Sequence, residues 1–160
     1  MYRVQNMLEY AIRAACESSC SKSKRGVIIW NPHLNTYTTA NNSPPLASSF
    51  QCDGSDECKA NCGKVAVHAE DRALRQWLMI NGIKAWSEGT EMLHVKVVDG
   101  KAVPSGEPSC WQCSRIIADQ KGIISGMWLL HEDGLKRYDP IDFHRITLKN
   151  CNLYCFECTN

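Results

Sequence analysis

Two short stretches of the chain carry residues that can do metal chemistry. The first is His68-Ala69-Glu70, and the second is Glu107-Pro108-Ser109-Cys110-Trp111-Gln112-Cys113. One imidazole and two thiols make three zinc ligands and leave the fourth tetrahedral position open, which separates a catalytic zinc from a structural one. Such an ion lowers the pKa of a water to near neutrality and so supplies a nucleophile for an electron-poor ring carbon bearing an amino group. The attacking water must lose a proton and the leaving amine must gain one, and a carboxylate beside the metal can do both in turn. Glu70 lies two residues after His68, so on a helix it is near the ligand but aimed differently. Cys110 and Cys113 would share one face of a helix, whose N-terminus favours their thiolate forms. His-Ala-Glu alone is a weak signal, and Cys-x-x-Cys alone could be redox-active or half of a structural zinc site. The ordered pair with a proline upstream points to a catalytic Zn2+. The bland alternative is a core histidine and two buried thiols.

The hydrophobic period supplies the elements that must position these residues. Val4, Leu8, Ala11, Ile12 and Ala15 recur at helical spacing and predict a first helix over 5–20. Gly26-Val27-Ile28-Ile29-Trp30 reads as a strand, Asn31-Pro32 as a turn, and Thr36-Tyr37-Thr38-Thr39 as the returning strand. Residues 41–66 are polar and rich in Ser, Pro and Cys, which reads as a long loop. A helix is predicted over 67–81, ended by Gly82. Met92 to Val98 alternates as a strand, with turns at Asp99-Gly100 and Pro104-Ser105-Gly106. Ser109 can cap a helix running to about Lys121. Gly126 to Leu130 is a further strand and 141–149 a last helix, followed by a cysteine-bearing tail in the segment 139–160. The order α-β-β-α-β-α-β-α predicts one α/β domain over 1–160, a three-layer α/β/α sandwich around a mixed sheet of about five strands.

The pattern H-x-E…P-S-C-x-x-C on this element order resembles the cytidine/deoxycytidylate deaminase superfamily, over the span from Leu8 to Leu130. The resemblance implies a zinc held by His68, Cys110 and Cys113, with Glu70 as proton carrier. It implies hydrolytic deamination of a nucleobase, cytosine to uracil in a free nucleotide or nucleoside such as dCMP, and a homo-oligomer. It also implies substrate contacts. An Asn-Gly-x-Pro segment supplies an asparagine in the family. Here Asn41 fits one alignment of Asn41-Asn42-Ser43-Pro44-Pro45 and Asn42 the other, with Asn41 slightly favoured; both could simply make the turn. Ala69 and Trp111 are placed beside the substrate with them. Deoxycytidylate deaminases often carry cysteines in the loop before the His-Ala-Glu helix, and Cys52, Cys58 and Cys62 fall there. A cysteine late in the first helix completes a second zinc in some relatives, and Cys20 matches that place. These four are the candidate structural zinc ligands, with Cys151, Cys155 and Cys158 as a rival source.

Several positions depart from the pattern. Ser109 separates Pro108 from the first ligand cysteine. Arg72 stands where many relatives have asparagine, and could meet a phosphate bidentately or stand on a helix surface. Late in the same helix, where a phosphate-binding arginine would be sought, the chain has Trp77-Leu78-Met79-Ile80. Ala73-Leu74-Arg75-Gln76 is similar to tRNA adenosine deaminases, which lack the cysteine-rich loop. A polynucleotide cytosine deaminase is the other enzyme alternative: Trp111, Trp30 and Trp128 could offer stacking faces and Lys22-Ser23-Lys24-Arg25 a phosphate contact, although core aromatics and a solvated turn explain both. A zinc-stabilised binding module is the non-enzyme alternative, and it would have no use for Glu70.

Composition sets the remaining bounds. The 160 residues suffice for one domain with a real core. A formal net charge of +1 gives no global signal for nucleic acid, which is not favoured as a partner. No stretch is fit for a signal peptide or a membrane span. Ten cysteines without an export signal are expected as reduced thiols or zinc ligands in a cytoplasmic protein.

Overall fold

The two central strands are apolar on both faces, so the sheet they build must be covered on both sides. Strand β1 (Lys24–Asn31) is buried continuously from Gly26 onward, and strand β3 (Glu91–Val98) from Met92 to Val95. The computed structural model describes residues 4–45 and 51–153. Around these two strands lie helix α1 (Val4–Cys16), strand β2 (Thr36–Asn41), and helices α2 (Asp56–Val65) and α3 (Ala69–Asn81). A 3-10 turn (Gly82–Trp86), strand β4 (Lys101–Val103), helix α4 (Trp111–Asp119), strands β5 (Gly126–His131) and β6 (Gly134–Tyr138) and helix α5 (Pro140–Asn150) complete the order.

The sheet runs β2-β1-β3-β5-β6, with β4 pairing β3 beside this path. β3 is antiparallel to β1 and parallel to β5, and α4 makes the crossover of that parallel pair. Alternation then sorts side chains to the two layers. Ile28, Trp30, Leu93, Val95 and Val97 pack with Met7, Ala11 and Ala15 of α1. Val27, Ile29, Met92, Met127 and Leu129 pack on the other face with Ala73, Leu74 and Trp77 of α3, Ile117 of α4 and Phe143 of α5. Gly26 lets α1 lie close on its face: a Cβ there would stand 2.6 Å from Ala15 N and would run into Ala11 O.

The mixed-sheet sandwich expected from the sequence is therefore present, with six strands among the described residues. Four elements differ from expectation. The segment 41–66 is not loop throughout, because α2 begins at the Ser55 cap, whose side chain accepts from Cys58 N. Its acidic first turn and Lys64 near its end suit the helix dipole, but it buries only Cys58. A helix with no apolar stripe leaves no period to read. The Asp99-Gly100 turn was legible, and both residues have the positive φ of a tight hairpin turn, at 49° and 76°. The three-residue β4 that it returns is too short to signal itself. β6 is an edge strand with exposed Lys136 and Arg137, so it carries little apolar alternation. α1 also ends at Cys16 rather than Cys20.

Candidate metal centre and its cavity

His68 is the N-cap residue of α3 and Cys110 the N-cap residue of α4, and these two helix starts bring the separated motifs together. Cys110 takes the cap that the sequence assigned to Ser109, and its sulfur accepts from Cys113 N at 3.4 Å. The ligand atoms of His68, Cys110 and Cys113 all lie within 4.8 Å of one another. His68 Nδ1 is 3.0 Å from Cys113 Sγ and 3.3 Å from Cys110 Sγ. Tetrahedral zinc with ordinary bond lengths needs N–S edges of about 3.5 Å, so a small opening of this hydrogen-bonded triangle admits the ion. The donor set fits zinc, with three protein ligands and no fourth among the described residues.

Within the triangle one thiolate is favoured, while the other two groups hold protons that a metal would displace. The Cys110 thiol is pulled down to about 5, first by the hydrogen bond with Cys113 and then by that with His68, against burial. Cys113 is pushed the other way, because it keeps the proton it shares with Cys110 and is buried. The hydrogen bond to Cys110 raises His68 above the ordinary imidazole value.

Glu70 follows on the first turn of α3, with its side chain only 12% exposed. Burial alone would push its carboxyl up, but His94, its own backbone amide and His68 together hold it below the usual range. His94 Nε2 stands 3.9 Å from Glu70 Oε1. His94 is buried, which lowers its pKa despite the carboxylate. A carboxylate kept ionised despite burial, beside three atoms that could hold a metal, is placed to move protons.

All of this opens onto a cavity of about 280 Å³ whose wall includes Arg25, Asn42, Glu70, His94, Ser105 and Cys110. Ser105 Oγ is buried there without a hydrogen-bond partner among the described residues. Such an orphan hydroxyl costs about 1–3 kcal/mol, which a polar ligand would offset.

The other sequence candidates fall in different places. Ala69 lines the cavity, as does Asn42, but not Asn41, whose Oδ1 accepts from Ser43 Oγ at 2.6 Å. The Asn42 amide is engaged by the protein: Oδ1 accepts from Arg25 N and Ser18 Oγ, and Nδ2 donates to Ser23 O. Arg72 donates to Ser43 O and Pro44 O, both at 3.0 Å, and so ties α3 to the segment after β2. Trp111 is 40% exposed outside the cavity, with the Arg115 guanidinium 5.4 Å from its ring centroid. Trp30 and Trp128 belong to the α1 side of the sheet.

The four loop thiols stand as two pairs. Cys20 Sγ is 3.7 Å from Cys62 Sγ, and Cys52 Sγ is 3.4 Å from Cys58 Sγ. Among the described residues no third thiol lies within 4.8 Å of both members of either pair. Cys155 and Cys158 lie outside the described residues. Cys151 Sγ donates to Ser109 O at 3.1 Å, and Asn150 Nδ2 to Pro108 O at 3.0 Å. The end of α5 thus holds the loop that carries Cys110, a role sequence reading had not given it. His94 was missed as well, and Arg25 was named only within the basic run 22–25 as a contact to a polynucleotide backbone. Strand alternation could have found both, since Arg25 shares a face with Val27 and Ile29, and His94 with Met92.

No family model matches the sequence, and no curated protein matches it either. Solved structures do. The dCMP deaminase from the cyanophage S-TIM5 in apo form is 18% identical with a TM-score of 0.56, covering 91% of this chain and 93% of that one. The same enzyme in complex with dCMP and dUMP matches at a TM-score of 0.53 and 18% identity, over 79% and 82% of the two chains. The cytidine deaminase from Burkholderia pseudomallei is 12% identical with a TM-score of 0.56, over 89% and 96%. The chain has the cytidine deaminase-like α/β fold. Among the described residues no helix is long and apolar enough to cross a membrane.

Proposed function

We propose that this protein is a zinc-dependent hydrolase that deaminates cytosine to uracil in a free cytidine or deoxycytidine nucleotide or nucleoside, such as dCMP. The observation that carries the proposal is the meeting of His68, Cys110 and Cys113 beside Glu70, at a cavity that His68, Glu70 and Cys110 line. The fold likeness to a dCMP deaminase and a cytidine deaminase supports it. Held by the three ligands, zinc would supply a water activated as nucleophile near neutral pH. Glu70 takes one proton from the attacking water and delivers it to the ring nitrogen, then takes the remaining hydroxyl proton from the C4 adduct and delivers it to the amine, which departs as ammonia. Buried His94 faces Glu70 and helps keep it ionised until it accepts that proton.

A small substrate is favoured over a polynucleotide by where the aromatics stand. A single-strand binder stacks successive bases along an open groove. Trp111 is outside the cavity, and Trp30 and Trp128 are on the opposite side of the sheet. The deciding experiment incubates zinc-loaded protein with cytidine, deoxycytidine, their mono- and triphosphates, and single-stranded DNA and RNA containing cytosine and adenine. Products are read by mass spectrometry. Uracil in a free nucleotide or nucleoside is expected; conversion only within oligonucleotides, or of adenine alone, would defeat the assignment.

A second, structural zinc on Cys20, Cys52, Cys58 and Cys62 belongs to the same proposal. The S–S edge of a tetrahedral thiolate site is about 3.8 Å, close to the spacing within each pair. The ion would draw the pairs together and pin a segment with few apolar anchors. Cys58→Ala is therefore expected to lower the zinc content from two equivalents to one and Tm by about 5–10 °C, on the order of 2–3 kcal/mol for a chain of this size. Metal analysis and a thermal melt check this, and an unchanged zinc count dismisses the site.

A further inference from the structure

We propose that Arg25 is the phosphate-binding residue of the cavity, and that the substrate is a cytosine nucleotide with a 5′-phosphate monoester; the identity of the base rests on the deaminase function proposed above. The basic run Lys22-Ser23-Lys24-Arg25 leads into β1, and alternation along the strand sends its cations to different places. Lys24 Nζ donates to Cys16 O at 3.0 Å and Ser18 O at 2.9 Å, where it satisfies carbonyls at the end of α1. Lys22 precedes the strand and also lines the cavity, with its Nζ donating to Lys59 O at 3.1 Å. Arg25 lies on the face shared with Val27 and Ile29, in the wall of the cavity that holds His68 and Glu70.

The support beneath Arg25 is rigid. Its Nε donates to Ser23 Oγ at 2.8 Å, which fixes the plane of the guanidinium. Asn42 Oδ1 accepts from its backbone N–H at 2.8 Å, and Asn42 Nδ2 reaches Ser23 O at 2.7 Å. Among the described residues no carboxylate makes an ion pair with Arg25, and its two terminal nitrogens have no hydrogen-bond partner. Burial lowers the pKa of Arg25, and Glu70 and Cys110 attract it across the cavity without a direct ion pair, so its outer donors stay open. Its free fork matches two oxygens of a phosphate. Cytosine is neutral near pH 7, so a deaminase needs no such cation for the base; an anionic part of the substrate accounts for it. Arg72, the other arginine near this segment, already holds two carbonyls. A cavity of about 280 Å³ suits one nucleotide, at the small end of ligand sites that run to about 1,000 Å³.

The test uses the full chain loaded with zinc, as native protein, Arg25→Gln and Arg25→Lys. For each, kcat/KM is measured for CMP and dCMP against cytidine and deoxycytidine, and Kd for dUMP against deoxyuridine by calorimetry. The native protein is expected to prefer the monophosphate in both readouts. Arg25→Gln should reduce that preference about 10- to 100-fold, the scale of a hydrogen bond to a charged group. Arg25→Lys should restore only part of it, because a point charge lacks the fork. Zinc content and Tm confirm that the variants are folded, and the lysine variant carries the test if glutamine does not fold. An unchanged preference in the variants, no preference in the native protein, or tighter binding of a cytosine dinucleotide through its phosphodiester overturns the proposal. The two levels separate cleanly. Arg25-dependent binding of dUMP without turnover of any cytosine substrate would remove the deaminase function and keep the phosphate site. Turnover with no dependence on Arg25 would do the reverse.

Discussion

Glu70→Gln is expected to bind zinc as the native protein does and to lose about 10²- to 10⁴-fold in kcat, the range attributed to a positioned general acid–base. The substitution keeps side-chain length and shape, so the cavity wall and the α3 start are preserved. What it removes is the ability to accept a proton. The native carboxyl is well suited to that step, because His94, its backbone amide and His68 hold it ionised despite burial. It is next to the ligand set without being one of its members: His68, Cys110 and Cys113 form the cluster, and Glu70 stands one helical residue beyond Ala69. A metal ligand would lose zinc on substitution and a proton carrier would not. Metal analysis beside steady-state kinetics therefore separates the two roles. Near-native turnover in Glu70→Gln would refute the proton-transfer role, and loss of the metal would make Glu70 a ligand.

The grouping of His68, Cys110 and Cys113 was legible because the residue types and spacing of two short motifs carry it, whereas the helix starts were not: His68 is itself the N-cap residue of α3, and Cys110 rather than Ser109 is that of α4. The layering was legible for a similar reason, since the continuous apolar runs of β1 and β3 demand cover on both faces. What escaped was determined by tertiary placement. Arg25 and Lys24 are adjacent cations in one run; alternation puts them on opposite faces, but only tertiary packing says that one face meets the end of α1 and the other the cavity. His94 interrupts an apolar strand, yet nothing local says that Glu70 will stand opposite it. Helix α2 is held by its Ser55 cap and its charges rather than by an apolar face, so the period was silent there. The hold of Asn150 and Cys151 on the Cys110 loop joins segments about 40 residues apart in sequence, a contact that only the packing of α5 reveals.

The second large effect belongs to Cys110, which does two jobs that can be separated by choice of substituent. Its sulfur accepts from the Cys113 amide at the start of α4, and it is the thiolate of the ligand triangle, with its pKa brought down to about 5. Alanine would remove both functions. Serine keeps a helix cap, being among the best N-cap residues, but offers zinc an alcohol in place of a thiolate. Cys110→Ser is therefore expected to fold with native helix content and a Tm close to that of the metal-free native protein. Its affinity at the catalytic position should fall by more than about 100-fold, since even an outer-shell partner is worth 10- to 100-fold. Deaminase activity should fall below detection while any zinc held by the other cysteines is retained. Equilibrium competition against a chelator measures the first, and circular dichroism the second. Full native affinity in Cys110→Ser would exclude this sulfur from the ligand set. If Cys110→Ser and Cys110→Ala lose zinc alike but only the alanine variant melts lower, the cap and the ligand are shown to be separate contributions of one sulfur.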